Sequence, residues 1–96
     1  MNITQIWVKN NFSYYEFNAV KYQRNDRIIL LLGKRIRATR VKQGISQNQL
    51  AFESGIRINQ IGRIERGEIN TSISVIFAIA KALNLKPHDL INFDKE

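Results

Sequence analysis

Between Ile58 and Gly67 the chain reads Ile-Asn-Gln-Ile-Gly-Arg-Ile-Glu-Arg-Gly, and its polar residues have the chemistry of base recognition. An Asn such as Asn59 pairs its amide donor and acceptor with adenine, and an Arg such as Arg63 matches guanine O6 and N7 with its guanidinium fork. Each such contact is worth about 1–3 kcal/mol of discrimination against a wrong base. Reading base edges requires these side chains to leave one side of a rigid rod. Asn59 and Arg63 stand at helical i, i+4 spacing, while Ile61 and Ile64 supply the apolar positions that turn the other side inward. Asn59, Gln60 and Arg63 are therefore expected to project together from a helix anchored by isoleucines. Most polar stripes on helices are merely solvated, so this one acquires meaning only from the elements around it.

Those elements are short helices separated by glycines. Gly44, Gly55 and Gly67 punctuate a helical pattern that runs from about Arg27 onward. The spacing of Leu32 and Ile36, continued by Thr39 and Arg40, predicts a first helix that stops at Lys42-Gln43-Gly44 and turns Arg40 inward. Ser46, with Gln49 three residues on, has the form of a capping box, and Leu50 and Ala51 follow on the inner face of a second helix. Gly55 ends it, Ile56 turns inward, and Ile58 to Arg66 make a third helix closed by Gly67. Asn70 to Ser72 are cap formers for a fourth, mostly buried helix carrying Ile73, Ile76, Ile79, Ala80 and Leu83. Pro87 suits the first turn of a fifth helix, with Asp89 near its positive end and Leu90 and Ile91 after it. The expected fold is all-α, with five helices in one domain over residues 27–96.

Composition narrows the function. A chain of 96 residues supports one core, and 15 Lys and Arg against 8 Asp and Glu leave a net charge of +7, which favours polyanions. No apolar run is long enough to span a membrane, the longest being Ile28 to Leu32, and Met1 to Val8 lacks the pattern of a signal peptide, so a cytoplasmic protein is expected. With no cysteine and one histidine, His88, no metal site, cofactor or catalytic pair is expected, and His88 reads as an exposed first-turn residue. Lys34, Arg35, Arg37 and Lys42 read as a solvated face that speeds association with DNA without specifying sequence. Attachment to a membrane surface through the first helix fails, because its apolar stripe is needed for the core.

Residues 1–26 form an extension of different character. Ile3 to Val8 and Phe12 to Phe17 are aromatic and β-branched around Lys9-Asn10-Asn11, the pattern of a hairpin. Helical spacing is also met, through Phe17, Val20 and Lys21, and would carry helix one backwards from Arg27 to Phe12; a helix over Ser13 to Gln23 is the preferred reading. Such a segment either adds packing or offers a surface to a partner protein.

Ile45-Ser46-Gln47-Asn48-Gln49-Leu50-Ala51, Gly55-Ile56 and Ile61-Gly62-Arg63-Ile64-Glu65-Arg66-Gly67 together resemble the lambda-repressor-like (Cro/repressor, XRE-type) helix-turn-helix family. The small controllers of restriction-modification systems are the members it looks most like. The resemblance covers about Leu31 to Ile91 and implies a recognition helix in the major groove with the preceding helix crossing the backbone, an approach that the small Ala51 permits. It implies that Gln47 contacts phosphate at the start of helix two, and that Arg40 and Glu65 form a buried ion pair of structural role. Two positions depart from the family pattern, which places a small hydroxyl cap and then a polar residue at the start of this helix. Arg57 there could grip phosphate instead of capping; Ile58 could press on a thymine methyl or pack into the core. Arg66 is a third candidate for phosphate. Gly62 is read either as a close approach to DNA or as a tolerated poor helix former.

One recognition helix reads too few bases to stand out from genomic competitors, so a homodimer on palindromic operators is expected, docked through Leu90, Ile91 and Phe93 or through the aromatic extension. The function read from these features is a sequence-specific regulator of transcription on double-stranded DNA, a repressor or autoregulator and not an enzyme. The rival is an antitoxin or adaptor that clamps a partner protein with residues 1–26 and uses its helix-turn-helix for autoregulation.

Overall fold

The computed structural model describes residues 23–93, which form five helices: α1 Asp26–Lys42, α2 Gln47–Ser54, α3 Ile58–Glu65, α4 Ile73–Ala82 and α5 Pro87–Ile91. Every one of the five expected helices is present, and the described residues contain no strand.

Each helix contributes to one core. Ile36 of α1, Leu50 of α2, Ile61 of α3, Ile79 of α4, Leu83 just beyond it and Leu90 of α5 are fully buried. Leu90 is therefore part of the core and not of a docking surface, whereas Ile91 is exposed. The period explains the division: a helix as short as α5 can bury only one side of its turn, and Leu90 takes that side.

Helix α1 does not run back to Phe12. Asn25 is extended, with φ −109° and ψ 99°, and its side chain accepts a hydrogen bond from the Ile28 amide at 3.1 Å. An Asn in this position satisfies one of the orphan amides of the first turn, and its non-helical backbone ends the rod. Apolar periodicity cannot see such a stop; the Asn25-Asp26 pair was the signal. Gln23 is likewise outside any helix, and the remaining expectations for the extension fall on residues 1–22, outside the described residues.

Two local expectations are corrected. Ser46 caps α2, its hydroxyl accepting from the Gln49 amide at 3.0 Å, but Gln49 does not complete the box: its side chain donates to Glu53 Oε1 at 2.7 Å. A carboxylate one turn along the helix is the stronger partner for the amide. Arg35, expected on a solvated face, donates to the carbonyls of Asp89 at 2.7 Å and Asn92 at 3.2 Å, and its guanidinium lies 5.8 Å from the centre of the Phe93 ring. The last carbonyls of a helix have no partner within it, and a cation from α1 supplies one for α5.

The approach of α1 to α3 depends on Gly33, to which the sequence assigned no role. A Cβ at this position would stand 2.4 Å from the Ile64 carbonyl oxygen and 2.7 Å from that of Glu65. Only a residue without a side chain lets the two backbones come so near, and the mid-helix cost of glycine is accepted for that contact.

Candidate nucleic-acid interface

Helix α3 has two faces. Ile61 and Ile64 are 0% and 2% exposed and Glu65 is 7% exposed, while Asn59, Arg63 and Arg66 are open to solvent. At 3.6 residues per turn, positions 59, 63 and 66 fall on one strip of the rod. Gln60 lies one step further round, towards Ile64, and is half-buried. The strip that the structure assembles is thus Asn59, Arg63 and Arg66, with Gln60 on its margin. Ile58, 43% exposed, is excluded from the core and presents part of its side chain at the first turn.

The start of α3 differs from the other long-helix starts. Arg57 occupies the cap position with φ −62° and ψ 143° but makes no side-chain cap bond, whereas α2 and α4 begin on the hydroxyls of Ser46 and Ser72. The first amides of α3 consequently have no side-chain acceptor from their cap residue. An uncapped positive helix end beside an exposed arginine suits an anion.

Gln47, the first residue of α2, is tied to the end of α3: its Nε2 donates to Glu65 Oε1 at 3.0 Å. One amide hydrogen and the carbonyl oxygen of Gln47 remain for other partners. Glu65 also receives Arg40 through Nε at 2.7 Å and Nη2 at 3.0 Å, and Arg40 Nη1 reaches the Ile45 carbonyl at 3.0 Å. The two side chains are 11% and 1% exposed. The hydrogen bond to Glu65 raises the Arg40 pKa above its ordinary value, with burial acting against it. This network joins α1, the α1–α2 turn, α2 and α3 at one point, and so sets the angle at which α3 leaves the body. Ala51 packs against the core where α2 meets it, and Gly55 turns the chain towards α3 with φ 73°.

Gly62 faces the protein itself. A Cβ there would lie 3.0 Å from Arg66 Nη1 and 3.9 Å from Gln47 Oε1. The nearer atom is the end of a flexible side chain, so packing alone does not demand glycine.

Sequence reasoning passed over Glu68. Its carboxylate is 3.6 Å from Arg63 Nε and accepts a close hydrogen bond from Arg66 Nε. These contacts hold its carboxyl below the usual carboxylate range, the bond from Arg66 first among them, and raise the Arg66 pKa in turn. An acidic residue just after a basic strip was the available signal. His88 is exposed, with Nε2 3.3 Å from Asp89 Oδ1. Among the described residues no group of three His, Cys, Asp or Glu side chains is placed to hold a metal, and no helix is long and apolar enough to cross a membrane.

Comparison with known proteins agrees with this geometry. Residues 36–90 match the family model HTH_3, described as helix-turn-helix. Control protein C.BamHI of Bacillus amyloliquefaciens is 43% identical over 67 residues, a stretch spanning 69% of this chain and 83% of that protein. An uncharacterised HTH-type transcriptional regulator of Archaeoglobus fulgidus is 39% identical over 62 residues, covering 65% of this chain and 89% of its own length. The crystal structure of the restriction-modification controller protein C.AhdI from Aeromonas hydrophila superposes with a TM-score of 0.64 at 39% identity, covering 65% of this chain and 94% of that one. With a two-faced α3 set beside a short α2, and with these relatives, the chain belongs to the HTH_3 (XRE-type) helix-turn-helix family and is a DNA-binding regulator of transcription.

Proposed function

We propose that this protein is a cytoplasmic controller that binds palindromic operators as a homodimer, with α3 in the major groove and α2 across the phosphate backbone. The observation that carries the reading is the division of α3 into a buried isoleucine face and an exposed face bearing Asn59 and Arg63. Asn59 and Arg63 read base edges, Gln60 contributes from the margin, and Ile58 offers an apolar contact to a thymine methyl. Gln47, Arg57 and Arg66 hold phosphates and set the register without carrying sequence information. Two copies are required because one α3 meets only a few base pairs, and Ile91 is an exposed apolar residue available to the contact between them. The similarity to control proteins supports repression or autoregulation of a small operon.

Selection of bound duplexes from a random pool tests this. The expected product is a two-fold symmetric site with half-site centres about 10 base pairs apart and two protomers per duplex by sedimentation. A single asymmetric site bound by one protomer would overturn it. Gln47→Ala is expected to weaken binding on all duplexes alike and to flatten the salt dependence. A reporter driven by the protein's own upstream region should fall when the protein is supplied.

A further inference from the structure

Four helix ends among the described residues close in the same way, and one of them is chemically different. At the ends of α1, α2, α3 and α4 the chain turns through a positive-φ residue, Gly44, Gly55, Gly67 or Asn84. The next amide then bonds back to a carbonyl five residues earlier: Ile45 to Arg40, Ile56 to Ala51, Glu68 to Arg63 and Leu85 to Ala80. In this motif the residue after the turn normally makes an apolar contact with the last turn of the helix. Ile45, Ile56 and Leu85 are apolar and pack against the core. Glu68 occupies the same position after α3, and the residue that it meets there is Arg63.

The backbone of Glu68 is held from both sides. Its amide donates to the Arg63 carbonyl at 2.9 Å, and its own carbonyl accepts from Arg24 Nη2 at 3.2 Å. Its carboxylate is thereby delivered to the exposed strip of α3, where it meets Arg63 by Nε and Arg66 by Nε and, at 3.5 Å, Nη2. The contact with Arg63 is made on the Nε side, which leaves the terminal Nη pair for an outside acceptor.

From this arrangement we infer that Glu68 is a positioning residue for sequence recognition, clasping Arg63 beside Arg66 so that the terminal edge of Arg63 is presented to a base before DNA arrives. The inference rests on the reading of Arg63 as a base contact. A free arginine has many rotamers to lose on binding, and a carboxylate that restricts them in the unbound protein lowers that cost. The same negative charge opposes any DNA, because it faces the phosphates together with the arginines. Glu68 therefore trades general affinity for discrimination.

The test uses the full chain, the operator selected above, the same operator with the base pair read by Arg63 replaced, and a random duplex of equal length. The base pair in question is the one whose preference disappears in Arg63→Ala. Glu68→Gln is expected to weaken operator binding by about two- to tenfold, the cost of freeing one long side chain. Binding to the random duplex should be unchanged or tighter, and discrimination at the Arg63 base pair should fall. In an Arg63→Ala background, Glu68→Gln should no longer reduce discrimination. Equal tightening on operator and random duplexes would reduce Glu68 to a simple counter-charge and overturn the inference, as would no change on either. If Arg63→Ala leaves every base preference intact, the reading of α3 itself has failed, a result distinct from a silent Glu68→Gln beside a defective Arg63→Ala.

Discussion

Helix α3 carries a guanidinium–carboxylate constellation on each of its two faces, built from the same chemistry and set in opposite surroundings. On the inner face, Glu65 is 1% exposed by side chain and is bonded by Arg40 and Gln47. On the outer face, Glu68 is 44% exposed and meets Arg63 and Arg66, themselves 54% and 59% exposed. A buried pair adds little over an apolar replacement but strands a charge when one partner is lost, whereas an exposed pair contributes little to stability either way. The inner constellation therefore belongs to folding, and on the proposed reading of α3 the outer one serves recognition, although one turn of helix separates them.

The largest effect should come from breaking the inner set. Glu65→Ala leaves the Arg40 guanidinium buried without its carboxylate, and urea unfolding at neutral pH is expected to show a loss of about 3–5 kcal/mol. Stability equal to the parent would erase the contrast between the faces. Gly33→Ala should follow, because α1 must retreat from the carbonyls of Ile64 and Glu65; a loss of about 1–3 kcal/mol is expected, read from the same unfolding curves. Should Gly33→Ala prove neutral, the close seating of α3 on α1 is not needed to present its outer face.

Arg57→Ser sharpens the comparison from the other direction. It supplies the cap that α3 lacks and should add about 1 kcal/mol of stability, while DNA binding weakens on every sequence and its salt slope shrinks by about one. A variant gaining stability with DNA affinity intact would show that Arg57 has no role at the phosphates. The smallest effects on stability belong to the outer face. Arg63→Ala and Glu68→Gln should unfold together with the parent, their consequences appearing only in DNA selectivity. Because the Glu68 carboxyl is held below the usual range, its charge persists through neutral and mildly acid conditions and is lost only as pH falls beneath that range. Base preference should accordingly be constant between about pH 5 and 8, as binding to a panel of duplexes at several pH values would show.

Much of this organisation was legible one helix at a time. The isoleucines at 61 and 64 announced an inner face for α3, the glycines marked where helices stop, and Ser46 marked where one begins. The errors share a cause. Gln60 looked equivalent to Asn59 because both avoid the isoleucine positions, but one step round the rod takes Gln60 to the edge of the packed face. Arg35 looked like surface charge because its partners, the carbonyls of Asp89 and Asn92, lie far along the chain.

The sequence by itself determined the helices, their stops and the two-sided character of α3, because apolar period, caps and positive-φ turns are written within a few residues of where they act. Tertiary structure alone decided that Gly33 would seat α1 against α3 and that Glu68 would be carried onto Arg63 and Arg66. Those outcomes depend on distances in space between groups whose separation along the chain, or whose direction after a turn, no periodicity records.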